Sequence, residues 1–103
     1  MPDSNIKSME VAAELAKERC DQTAKHGWSR EHDDTHDAGE LAEAAAAYAI
    51  VSTQQPGADD VAAELWPLEW DSMSPKDRRR NLVIAGALII AEIERLDRIP
   101  TTE

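Results

Sequence analysis

Phenylalanine is absent from this chain, and its only aromatic residues are Trp28, Trp66, Trp70 and Tyr48. A core with so few rings must be built from Ala, Leu, Ile and Val, which suits helices packed at close range. The single cysteine, Cys20, excludes an internal disulfide and fits a reducing cytoplasm. It reads as a small packing residue on a helix. No strand signature and no internal repeat is present. No apolar run reaches the ~20 residues that span a bilayer. The longest, Leu82 to Ala91, reads as a buried helix. The segment MPDSNIKSME lacks the apolar stretch of a secretory signal, so a soluble cytoplasmic protein is expected. Bases are scarce: 11 Lys and Arg stand against 21 Asp and Glu, a formal charge of −10. Such a surface repels a phosphate backbone, which argues against general nucleic-acid binding and against an anionic membrane. It suits a protein that gathers divalent cations, one that occupies a basic partner, or one that is simply kept in solution by its charge.

A chain of 103 residues accommodates one domain with one modest core. Residues 1–7 read as a frayed lead and 99–103 as a tail, with a single all-α domain over 8–98. A first helix is expected over 8–26, with Val11, Ala12, Leu15, Ala16 and Arg19 inward, Glu10, Glu14, Lys17 and Glu18 opposite, and Gly27 as its stop. A second, over 35–52, is capped by Asp34 or Thr35. Its inward face is Leu41, Ala44, Ala45, Tyr48 and Val51, beside a face of His36, Glu40, Glu43 and Ala47. Gly39 inside it suggests that a backbone or ligand comes close. TQQPGADD is a turn, and a short helix over 59–66 ends before Pro67. Ser74-Pro75-Lys76-Asp77 reads as a helix start, so the last helix should run over 75–98. The fold class is a small bundle of three to four helices. The apolar surface of Leu82–Ala91 exceeds what one neighbour covers, so dimerisation through the C-terminal helix is expected.

That last helix carries the sharpest chemical hint. Glu94 and Asp97 continue the stripe Val83, Ala87, Ile90, and carboxylates on a core-facing stripe need a cation or a hydrogen-bond donor. Glu92 is off this stripe and near Arg95, which suits a salt bridge or a subunit contact. At the start of the second helix, His36, Asp37 and Glu40 fall at i, i+1 and i+4, with Glu43 at i+7. Should the two helices meet, Glu40, Glu94 and Asp97 form a candidate oxygen-rich metal site, with Asp33 and Asp34 beside it. Such a site suits Mg²⁺ or Mn²⁺. His36, Asp37 and Glu43 would complete the shell or orient an attacking water. Arg79 and Arg80 are candidates for a substrate phosphate; the more ordinary reading of Arg78-Arg79-Arg80 is a solvated basic turn answering Glu69, Asp71 and Asp77. Trp66 and Trp70, four apart, could stack a nucleobase or close one end of the core. His32 and His36 have the spacing of the zinc-peptidase H-E-x-x-H helix, yet Asp34 and Thr35 between them read as cap residues.

Two resemblances attach to these residues. Glu94-Arg95-Leu96-Asp97 matches the E-x-x-D of the MazG-type all-α nucleotide pyrophosphatases. His36-Asp37-Ala38-Gly39-Glu40 has the spacing of their E-E-x-x-E, with His first and Asp second. The resemblance implies Mg²⁺-dependent cleavage of a nucleoside triphosphate to monophosphate and pyrophosphate. The strings GWSREHDDTHDAGELAEAAAAYA, WPLEW and RRRNLVIAGALIIAEIERLDR, within roughly Glu18 to Arg98, resemble small uncharacterised proteins of tailed phages and prophages. That likeness implies an origin and supplies no activity. Two functions are therefore expected: a Mg²⁺-dependent nucleotide pyrophosphohydrolase, or a non-enzymatic acidic phage accessory protein that binds and inhibits a host or defence component. A homodimer is expected in either case.

Overall fold

The structure, a computed structural model, describes residues 2–26, 34–35, 39–68, 70 and 72–99, with side chains for all of these but 2–4 and 23–26. Among these residues the chain is all-helical, with no strand, and four helices follow in order: α1 Pro2–His26, α2 Glu40–Val51, α3 Ala58–Leu65 and α4 Arg78–Asp97. Among the described residues no helix is long and apolar enough to cross a membrane.

Alanine sets the spacing. Ala44, Ala45 and Ala47 on α2 and Ala85, Ala87 and Ala91 on α4 are all buried, so the two backbones approach closely. Leu41, Tyr48 and Leu88 fill the remaining space of this core, and Trp66, Trp70 and Met73 pack against it. A second small cluster, Ala47, Val51 and Ala62, fastens α3 to α2. The inward face expected of the second helix is the one observed, since all five of its residues are buried. The two central helices run antiparallel. At one end Arg78 Nε donates to the Ser52 carbonyl at 2.8 Å, and at the other Arg98 Nη2 donates to Asp34 Oδ1 at 2.8 Å.

The helix ends differ from the sequence expectation for identifiable reasons. Helix α1 begins at Pro2, six residues before the expected start at Ser8, because proline is tolerated in a first turn where its missing N–H has no partner. Helix α2 begins at Glu40. Gly39 lies before it with φ 91°, a left-handed conformation that cannot continue a helix and that favours glycine. Among the described residues no atom lies within 4 Å of the Cβ that a side chain there would add, so none of them accounts for Gly39 by close approach. Helix α4 begins at Arg78, because Asp77 rather than Ser74 takes the cap and accepts the Arg80 N–H at 2.8 Å. Ahead of it, buried Asn81 holds both backbone groups of Lys76: Oδ1 accepts its N–H at 2.7 Å and Nδ2 donates to its carbonyl at 3.1 Å.

Helix α1 docks in an unexpected way. Among the described residues it contributes nothing to either apolar cluster, and its buried residues are Glu18, Arg19 and Gln22. Ala12 and Ala16, expected to face inward, are exposed, as is Cys20. Contact with α4 is made instead by Leu15, which lies over Gly86, and by ion pairs. A Cβ at Gly86 would sit 2.8 Å from both δ-carbons of Leu15, so glycine here permits the close approach.

Candidate functional site

The antiparallel arrangement of α2 and α4 brings the two acidic segments to one end of the bundle. Asp34 is tied there to Arg98, Glu40 lies half-buried in the first turn of α2, and Glu94 and Asp97 lie in the last turns of α4. The stripe Val83, Ala87, Ile90, Glu94, Asp97 emerges from the core along its length: Val83 and Ala87 are buried, Ile90 and Glu94 half-buried, and Asp97 exposed.

Glu94 has a different partner from the expected cation. Its Oε1 accepts from Arg19 Nε at 2.9 Å, and the Arg19 side chain is only 6% exposed. The buried guanidinium needs a counter-charge, and this carboxylate supplies it. Glu94 has Oε2 besides, but a metal bound there would sit beside the buried Arg19 guanidinium, a like charge at close range. Glu92 forms the salt bridge expected of it, with Arg95 Nε at 2.7 Å, and Arg95 is itself buried. Among the described residues no three His, Cys, Asp or Glu side chains converge as metal ligands would. Glu43 is exposed on α2. The candidates Asp33, His36 and Asp37, like His32, lie outside the described residues.

The expected phosphate-binding arginines are at the far end of α4. Fifteen residues separate Arg79 from Glu94, about 22 Å along the axis. An arginine cannot bridge that span to reach a phosphate held near Glu94 and Asp97. Arg79 instead makes a two-pronged pair with Glu14, at 2.6 and 2.7 Å, and Arg80 pairs with Glu18. The acids paired with Arg79 and Arg80 thus come from α1, sixty residues and more away in sequence; nearby Asp77 also favours the charged Arg79, and Glu69 and Asp71 lie outside the described residues. Glu14 and Arg79 share an ionic hydrogen bond, which holds the Glu14 carboxyl below its ordinary value of 4.5. Trp66 and Trp70 are committed to packing. Their rings meet edge-on at 5.4 Å, Tyr48 meets Trp66 edge-on at 5.6 Å, and both tryptophans lie against the core cluster. Burial raises the Tyr48 hydroxyl above its ordinary value, and its hydrogen bonds to Ser74 are long, at 3.4 Å.

No protein-family model, no curated protein and no solved structure matches this chain.

The surface with a definite pattern is the outer face of α4. Leu82, Ile89, Ile93 and Leu96 are each about half exposed, at 50–53%. With Gly86 they recur at alternating steps of four and three, the spacing of a coiled-coil seam. At 3.6 residues per turn the centre of this stripe lies roughly 150° around the helix from the buried face of Val83, Ala87, Leu88 and Ala91. Helix α4 is thus apolar on two opposed sides: the core takes one, and on the other Leu15 of α1 lies over Gly86 while the four larger residues stay half exposed. Sequence reading registered the excess of apolar surface. It missed the division into two stripes, although the heptad interval Leu82–Ile89–Leu96 was visible in the sequence.

Proposed function

We propose that this chain is a non-enzymatic helical binding module that acts as a homodimer through the outer face of α4. It presents an acidic surface to a basic protein partner, as a non-enzymatic accessory protein would. The observation that carries this reading is the exposed seam of Leu82, Ile89, Ile93 and Leu96. Exposed apolar residues scattered singly are ordinary, but a continuous stripe at coiled-coil spacing marks an association surface. Fully burying such a side chain is worth ~1.5–3 kcal/mol, so each half-exposed one has about 1 kcal/mol still to gain. A two-fold pair contains eight of them, about 8 kcal/mol in all, against an association cost of ~4–15 kcal/mol. The seam therefore supports a dimer that dissociates on dilution rather than an obligate one.

Sedimentation equilibrium over a range of concentrations tests the assembly. A dimer is expected that Ile89→Asp with Ile93→Asp converts to monomer while the helical circular dichroism is retained. A chain that stays monomeric at every concentration overturns the reading. The acidic face is tested by titration with a basic peptide: binding should weaken steeply with salt and with reversal of the exposed Asp59, Asp60 and Glu64 to Lys.

A second reading, the Mg²⁺-dependent pyrophosphohydrolase, is favoured by one observation, the gathering of Asp34, Glu40, Glu94 and Asp97 at one end of the bundle. It requires Glu94 to hold a cation beside the Arg19 guanidinium. Titration with Mn²⁺, followed by turnover assays with nucleoside triphosphates, tests it; no saturable Mn²⁺ binding and no turnover would remove it.

A further inference from the structure

We infer that the second copy lies antiparallel along α4, with the two-fold axis passing beside Ile89, an inference that rests on the dimer reading above. Three observations point to this orientation. The first is symmetry within the seam. Leu82 and Leu96 stand seven residues to either side of Ile89, and all three are half exposed. An isologous interface presents the same patch from both partners, and with the two-fold axis across the helices, residues equally far to either side of it meet. Here Ile89 meets its own copy at the axis, and Leu82 of each chain meets Leu96 of the other.

The second observation is charge. Helix α4 opens on Arg78, Arg79 and Arg80 and closes with Glu92, Glu94 and Asp97. A parallel pair would set arginines beside arginines and acids beside acids. The antiparallel pair instead brings the arginine-bearing first turn of each chain towards the end of the other that carries Asp97 together with Arg95. Asp97, exposed at the end of the helix, comes level with Asn81 of the second copy, within one turn of its Arg78 and Arg79. Among the described residues neither Arg78 nor Asp97 has a charged partner within its own chain. Arg78 directs its Nε to the Ser52 carbonyl.

The third observation is the helix dipole. Neighbouring antiparallel helices place the positive end of one beside the negative end of the other, whereas parallel ones oppose like ends. The partner that fits this face is therefore a second copy of the same chain, placed head to tail.

Crosslinking of two single-cysteine chains tests the orientation. In a Cys20→Ser background, chains with Leu82→Cys are mixed with chains with Leu96→Cys and oxidised; both positions are exposed, so the fold tolerates the change. The mixed 82–96 species is expected to exceed the 82–82 and 96–96 species several-fold. Asp97→Arg, a surface change, should weaken the dimer roughly tenfold at low salt, since two symmetry-related ion pairs are lost. A dimer that crosslinks 82 to 82 and 96 to 96 overturns the antiparallel arrangement and leaves the dimer reading standing. A dimer that crosslinks at none of these positions, or no dimer at all, overturns both.

Discussion

Removing the Glu94 carboxylate separates a structural role from a metal-binding one. The Arg19 side chain is 6% exposed and that of Glu94 35%, so the pair is open to water from the acid's side only. Breaking a fully buried pair by deleting one partner costs ~3–5 kcal/mol, because the remaining charge keeps its desolvation penalty without compensation. Water at the Glu94 side lowers that figure, and Glu94→Ala should cost about 2 kcal/mol. For a domain of this length that corresponds to a fall in Tm of roughly 10 °C. Replacing both partners with apolar residues removes the penalty itself. Arg19→Met with Glu94→Leu should therefore recover most of the loss, which two independent sites would not do. Thermal and urea denaturation should be run at one fixed protein concentration, because dimerisation adds its own stabilisation. A Glu94→Ala variant that melts within about 2 °C of the parent would refute the reasoning, since it would show that buried Arg19 does not depend on Glu94 for its counter-charge. If Glu94 instead served mainly as a metal ligand, its removal would abolish Mn²⁺ binding and relieve carboxylate repulsion without lowering Tm.

The docking of α1 should respond to salt and acid more than the core does, because among the described residues Glu14–Arg79, Glu18–Arg80 and Arg19–Glu94 hold it and neither buried apolar cluster includes it. The folded Glu14 carboxyl lies below 4.5, so its stabilisation is complete above that pH and is lost as pH falls through the folded value. Amide hydrogen exchange should show α1 losing protection before α2 and α4 at acid pH or in molar salt, and uniform loss would contradict this. Asn81→Ala should cost about 1–2 kcal/mol in urea denaturation, since it strands both backbone groups of Lys76, with Asn81→Asp intermediate because it keeps only the acceptor. Gly86→Ala gains up to ~1 kcal/mol of helix propensity but drives its Cβ against Leu15, leaving the melting temperature close to the parent's. The same change in a Leu15→Ala background should raise stability by about that amount.

Periodicity alone determined a good part of this architecture. Leu41, Ala44, Ala45, Tyr48 and Val51 could be assigned to one buried face, because a helical repeat of apolar residues needs no knowledge of its partner. The absence of phenylalanine and the abundance of alanine likewise required close helix packing. Local pattern failed where a residue's role depends on something distant. Gly39 was read as an interior glycine marking a contact, whereas its φ of 91° puts it ahead of the helix. Arg19 sat within a plausible apolar stripe, and nothing nearby in sequence showed that its counter-charge lies 75 residues on, at Glu94. The arginines opening α4 called for acids, but only the crossing of α1 decided that Glu14 and Glu18 would supply them. The tertiary structure alone decided which side of α4 the core would take. An all-round apolar helix has no intrinsic inside, and once α2 covers one side, the stripe from Leu82 to Leu96 is left to face outward.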